Sequence, residues 1–208
     1  MALAGGSTPR EIYRRIAEAH ASAIDRDALE LFFGAERGVP PDHPDSNWRM
    51  ARETFIAPLG IPAERAHPMP AWEDDLEAAA RRYEAELRRL LPASPDGFPV
   101  LDLVWLGLGE DGHTASLFPG SAALEERRAA VVATTAPGGA PRMTLTLPAI
   151  ASARHVQLLV TGARKAAALA EALRPGSDLP AARVAAAARR VEWLADREAA
   201  GGAGSRGR

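Results

Sequence analysis

Three places in this sequence combine residue types that could hold an anion or move a proton. The first is Gly107-Leu-Gly-Glu-Asp-Gly-His113, which follows the apolar run Val100 to Leu106. A histidine titrates near neutral pH, so His113 is a candidate base that takes a proton from water. Asp111, two residues earlier, stands where it could hydrogen-bond the ring and orient it. The second place is Gly5-Gly-Ser-Thr8. Gly5 and Gly6 allow close backbone approach, and Ser7 and Thr8 supply hydroxyl donors. A helix starting there adds free N–H groups and a partial positive charge. The third is Lys165, just past the apolar run Val156 to Thr161 and Gly162. Its ammonium could reach a phosphate as a point charge. Arg142, ahead of Thr144-Leu-Thr-Leu147, could clamp the same phosphate through two N–H groups.

Taken singly, each feature also has a plainer reading: a capped turn without a ligand, a solvated cation, a turn histidine bonded to backbone. Gly107, Gly109 and Gly112 moreover fit G-x-G-x-x-G, the dinucleotide fingerprint. That fingerprint needs its third glycine to open a long helix, with an acidic residue about 20 positions on. Pro119-Gly120 interrupts the chain seven residues after Gly112, so nicotinamide binding is not expected. No G-x-S-x-G elbow or H-E-x-x-H pair occurs. His20, His43, His67 and His155 are scattered without metal-ligand spacing, and no metal site is expected.

The positioning elements must come from 208 residues that are 47% hydrophobic, enough for one domain with a real core. Cysteine is absent, which excludes disulfides, thiolate nucleophiles and thiolate-held metals. A net charge of −2 gives no sign of a nucleic-acid partner. An anionic substrate would depend on local cations and not on the field of the whole chain. Lys165 is the only lysine among 25 basic residues. No apolar run is long enough to span a bilayer and no leader is evident, so no membrane partner and a cytoplasmic setting are expected.

Thr8-Pro-Arg-Glu11 reads as a capping box, with Ile12, Ile16 and Ala19 on the apolar face of the helix that follows. Strands are expected at Ala28 to Phe33, Val100 to Leu106, Ala129 to Thr134 and His155 to Thr161, with a short segment from Met143 to Leu147 ended by Pro148. Helices are expected at Asn47 to Leu59, Trp72 to Leu91, Ala163 to Leu173 and Val191 to Ala199. Pro40 to Ser46 and Ala136 to Pro141 read as loops. Alternating strands and helices imply an α/β fold with a mainly parallel, Rossmann-like doubly wound sheet flanked by helices. One α/β domain is expected over 1–199, with a disordered tail over 200–208. In such sheets ligands sit at the carboxyl ends of the strands, so the three loops should converge.

Together these segments resemble the 6-phosphogluconolactonase family, related to the glucosamine-6-phosphate isomerases. The resemblance rests on Leu3-Ala-Gly-Gly-Ser-Thr-Pro9, Phe33-Gly-Ala-Glu-Arg37 through Asn47, Leu106 through Pro119, Arg142 through Pro148, and Leu159 through Lys165, in order over nearly the whole chain. It implies hydrolysis of 6-phosphogluconolactone to 6-phosphogluconate in the oxidative pentose phosphate pathway, without metal or organic cofactor. It further implies that His113 is the base, Asp111 its support, Gly6, Ser7, Thr8, Arg142 and Lys165 the phosphate site, and Arg37 and Asn47 residues lining the cleft. The alternatives are an amino-sugar-phosphate deaminase/isomerase, which Ser116-Leu-Phe-Pro119 disfavours, and a sugar-phosphate binding protein with impaired catalysis. Two departures stand out. The family's usual Asp is Ala35 here, so Ala35→Asp is expected to raise kcat/KM. Only Met1 to Ala4 precede Gly5, so the first strand is expected to be truncated: either the start codon is misplaced, or the protein folds with an apolar sheet face exposed.

Overall fold

The computed structural model describes residues 1–201. The chain runs β1 (Ala2–Leu3), α1 (Ser7–Ala19), β2 (Phe32–Phe33), β3 (Ala35–Arg37), α2 (Asn47–Ala51), a π-helical stretch (Arg52–Ile56), α3 (Ala57–Leu59) and α4 (Leu76–Leu90). It continues with β4 (Val104–Gly107), α5 (Ala122–Glu125), β5 (Val131–Thr135), β6 (Pro141–Leu145), α6 (Leu147–Ala151), β7 (Val156–Val160), α7 (Ala166–Ala172), α8 (Pro180–Ala187) and β8 (Val191–Ala195). Five strands form a parallel sheet in the order β2-β1-β4-β7-β8. The α/β reading with a mainly parallel sheet holds. A second sheet, β3-β6-β5, is antiparallel. No helix among the described residues is long and apolar enough to cross a membrane.

β1 is short but lies inside the sheet. Met1 carbonyl accepts from Phe32 N–H and Leu3 carbonyl from Gly34 N–H, at 2.8 and 3.0 Å, and Ala2 N–H donates to Leu103 carbonyl at 2.8 Å. Ala2, Leu3, Phe32 and Phe33 are fully buried. Each large apolar side chain removed from water contributes about 1.5–3 kcal/mol, so burial, more than ladder length, holds these two-residue strands. Where the ladder stops, a side chain replaces it: the Tyr13 hydroxyl accepts from Ala4 N–H and donates to Ala4 carbonyl, both at 2.9 Å. Tyr13 also stacks on Trp105, so α1 covers that part of the sheet face. Farther along the same face coverage ends, and Leu194 on β8 is 47% exposed. The expected exposed face is confined to that edge.

Several sequence expectations are corrected. No capping box forms: Gly6 is the N-cap without a side-chain bond, and Glu11 pairs with Arg14 and Arg15 instead. The buried face of α1 centres on Pro9 and Tyr13, with Ala19 exposed. Arg26–Ala28 is a 3-10 turn, so the strand shrinks to Phe32–Phe33. α4 starts at Leu76, where the Asp75 carboxylate caps Ala78 N–H at 2.9 Å. Pro148 does not end a segment; it lies in the first turn of α6, where a missing N–H costs nothing. The helix expected over Val191 to Ala199 is the edge strand β8, because each of its five residues pairs with β7. Of the expected tail over 200–208, residues 202–208 lie outside the described residues.

The strand order reverses between β1 and β4, since the chain crosses from β1 to β2 on one side and to β4 on the other. At such a switch point the loops after the two strands part and leave a crevice. The loops concerned are Gly5–Thr8 and Gly107–His113. The run Phe32 to Arg37 serves both sheets, pairing with β1 before Gly34 and with β6 after it. That carries Arg37 and Arg142 to the rim of the same crevice.

Candidate active site

The crevice is a cavity of about 590 Å³. Gly6, Ser7, Thr8, Arg37, Asn47, Asp111, His113, Arg142 and Lys165 all line it, so the structure brings every predicted site residue together. Thr161, Ser116, Phe118 and Ala35 line it as well.

The imidazole is held by its own turn. Gly109 N–H donates to His113 carbonyl at 2.8 Å and Gly112 N–H to Gly109 carbonyl at 3.1 Å. Asp111 Oδ1 accepts from His113 Nδ1 at 2.5 Å and from His113 N–H at 3.1 Å. Partial burial pushes the Asp111 carboxyl up, but the bonds from the His113 backbone and ring outweigh it, and the group sits below its ordinary value. An ionised carboxylate only accepts. Nδ1 therefore carries the proton, and Nε2 of the neutral ring keeps a lone pair for a substrate proton. The Phe118 ring backs the imidazole at 4.8 Å between centroids. Gly109 is required here: a Cβ on it would overlap His113 Nδ1 and Asp111 Oδ1. Gly112 turns at φ +81, where a Cβ would run into the Leu179 side chain. None of the three glycines opens a long helix, so the dinucleotide geometry is absent. The next residues form a tight turn, with Ala115 at φ 51, Thr114 Oγ1 donating to Gly107 carbonyl at 2.8 Å and Ser116 N–H donating to Thr144 Oγ1 at 3.1 Å. Ala115 is the one non-glycine residue with positive φ among the described residues, a strained conformation beside the cavity.

Other parts of the lining gather N–H donors and cations. α1 points its N-terminus into the crevice, and its first N–H groups have no intrahelical partner. Thr8 Oγ1 meets Thr161 Oγ1 at 2.6 Å, tying this turn to the end of β7. Lys165 follows in the 3-10 turn Ala163–Lys165. Asp196 accepts from Gly162 N–H at 3.0 Å and fixes that turn from β8. Arg37 and Arg142 are cross-strand partners on β3 and β6. Like charges facing each other across a ladder are unfavourable. Burial, and then the Arg37 charge, lower the Arg142 guanidinium from its ordinary value. An anion between the two would relieve both.

Sequence reasoning missed Glu36. It is 1% exposed and accepts from Arg37 N–H, Asn47 N–H and Trp48 N–H at 2.7 to 2.8 Å. The Ser46 hydroxyl donates at 3.2 Å. Burial pushes its carboxyl up, opposed by those four donors. The available signal was an acidic residue set between the apolar run Leu31 to Ala35 and Arg37. Among the described residues, no three His, Asp or Glu side chains gather as a metal-ion site.

The family model described as glucosamine-6-phosphate isomerases/6-phosphogluconolactonase matches residues 1–193. A 6-phosphogluconolactonase from Nostoc sp. is 42% identical over 178 residues, covering 86% of this chain and 72% of the relative. One from Synechocystis sp. is 43% identical with the same coverage. The solved 6-phosphogluconolactonase of Trypanosoma brucei superposes with a TM-score of 0.85 at 36% identity, covering 98% of this chain and 85% of that one.

Proposed function

The chain belongs to the glucosamine-6-phosphate isomerase/6-phosphogluconolactonase family, and from that premise we propose that it hydrolyses 6-phosphogluconolactone to 6-phosphogluconate. The observation that carries the proposal is the pairing of His113 with Asp111 in the same crevice as the α1 N-terminus, Arg142 and Lys165. One end of this site suits a phosphate and the other suits a proton transfer. We assign Gly6, Ser7, Thr8, Arg142 and Lys165 to the phosphate, and Arg37 and Asn47 to the cleft wall. We take residues 1–199 to act as one unit, in the cytoplasm.

The chemistry follows from the geometry. A water beside His113 Nε2 adds to the lactone carbonyl as the ring takes its proton. The ionised Asp111 stabilises the imidazolium that forms. The tetrahedral adduct then collapses, the bond to the ring oxygen breaks, and the imidazolium returns the proton to that oxygen. A hydroxyl and a carboxylic acid result. Holding the phosphate sets the carbonyl at a fixed distance from the base, so the step runs as an oriented, nearly intramolecular reaction. The test is hydrolysis of freshly made 6-phosphogluconolactone by the wild type and by His113→Ala, against spontaneous hydrolysis. The wild type should exceed that background and the variant approach it. Both matching the background would sink the assignment.

A further inference from the structure

The Arg37 side of the cleft owes its shape to a buried carboxylate that touches nothing in the cavity. Glu36 lies on β3 between Ala35 and Arg37, facing away from the crevice toward the start of α2. Its two oxygens are shared between two halves of one loop. Oε1 takes Arg37 N–H and Asn47 N–H, at 2.7 and 2.8 Å. Oε2 takes Trp48 N–H at 2.7 Å and the Ser46 hydroxyl at 3.2 Å. The carboxylate thus closes the loop Pro40 to Ser46 back onto the strand it left, and caps the helical run that begins at Asn47.

The consequence reaches the cavity through Asn47. With its backbone fixed by Glu36, the Asn47 carboxamide donates Nδ2–H to Ala35 carbonyl at 2.8 Å. Its Oδ1 is thereby turned to Arg37 Nη1, at 3.2 Å, and the same nitrogen also donates to Asp45 carbonyl. The carboxamide sits where a Cβ on Gly5 would be, so it also packs against the anion-cradle turn. One nitrogen of the Arg37 guanidinium is anchored in this way and the rest of the fork is left to face the crevice. Resting on the lactonase reading, we infer that Glu36 is a positioning residue for substrate affinity: it fixes Asn47, and through Asn47 the Arg37 guanidinium and the Gly5–Gly6 turn.

Glu36→Gln keeps the size of the side chain but sets an NH2 group against donors on one side. Losing a charge-assisted pair there should raise KM for 6-phosphogluconolactone about tenfold. The value of kcat should stay within about twofold, because the His113–Asp111 pair is not touched. Glu36→Asp, which keeps the charge, should recover part of the affinity. A purely structural role predicts a lower Tm with unchanged KM and kcat in the folded fraction. That result, or an equal fall in kcat at constant KM, overturns the inference. Should Glu36→Gln fail to fold, Ser46→Ala removes one donor to the carboxylate and should raise KM severalfold; no change in KM overturns the inference as well. Calorimetry with inorganic phosphate separates this from the lactonase reading. If the wild type shows no turnover, weaker phosphate binding by Glu36→Gln still supports the positioning role. Equal affinity in both proteins, or none in either, refutes it.

Discussion

Gly109→Ala is the sharpest test of how the imidazole is held, because it alters neither His113 nor Asp111. The backbone at 109 has no left-handed φ, so alanine is conformationally acceptable there. Its methyl group, however, would stand more than about 1 Å inside the 3.4 Å of ordinary contact, against both His113 Nδ1 and Asp111 Oδ1. Neither partner can stay in place, and the ring must retreat by on the order of 1 Å. Misplacement of that size costs about 10²-fold, and the whole contribution of a general base is about 10²–10⁴-fold. The expected loss in kcat is therefore about 10²- to 10⁴-fold, or roughly 3–5 kcal/mol of barrier. The phosphate end is untouched, so KM should change little. Stability should fall modestly, since the displaced ring and carboxylate give up bonds worth about 0.5–1.5 kcal/mol each, partly offset by the about 0.4–1 kcal/mol that alanine gains through the unfolded chain. The assay is initial-rate hydrolysis of fresh lactone, with a thermal melt of the same sample. Gly112→Ala is the contrasting control: φ +81 and a Cβ 2.6 Å from Leu179 Cδ2 make its defect one of folding. A folded Gly109→Ala protein whose kcat stays within about tenfold of wild type would refute the positioning argument.

Arg142→Gln should raise KM by about tenfold or more, as a charge-assisted contact to phosphate is lost. The same change should leave the ligand-free protein as stable or more stable by up to about 1 kcal/mol, because Arg37 loses a like-charged neighbour; a fall in Tm would contradict the opposed-charge reading. For Asp111 the sign is fixed by its depressed carboxyl. Its bonds to His113 add stability above the unfolded value near pH 4, and that stability disappears as pH falls through the lower folded value. Urea melts of wild type and Asp111→Asn should thus differ at neutral pH and converge in acid, whereas a gap that widens in acid would reverse the assignment. Ala35→Asp places a second acid–base group on the cavity wall and should raise kcat/KM for the lactone; equal or lower efficiency would show that one base suffices.

The site was more legible in the sequence than the sheet that builds it. Glycines, hydroxyls, cations and a histidine announce their chemistry through type and local spacing, and the convergence of their loops follows from one rule about parallel sheets. β1 and β2 were hard to delimit because two residues carry too little periodicity, and burial against distant partners decides where they end. β8 reads as a helix in isolation, and only its pairing with β7 makes it a strand. The supposed capping box failed because Glu11 found two arginines one turn away. Glu36 and the Tyr13 hydroxyl escaped notice because their partners are loop and strand-end peptides, and nothing in the local sequence marks a peptide group as needing a side-chain partner.

The facing guanidiniums of Arg37 and Arg142 bear on turnover as well as on capture. The phosphate of the proposed substrate is chemically unchanged from lactone to acid, so its attraction to Arg142 is the same before and after the ester opens. Binding of that kind lowers KM without speeding the bond-breaking step. It also means that the product leaves against the same pull that drew the substrate in. Release should therefore compete with chemistry in setting the steady-state rate. Free phosphate in the surrounding solution becomes a standing competitor, so the effective affinity for the lactone will track the phosphate level around the enzyme.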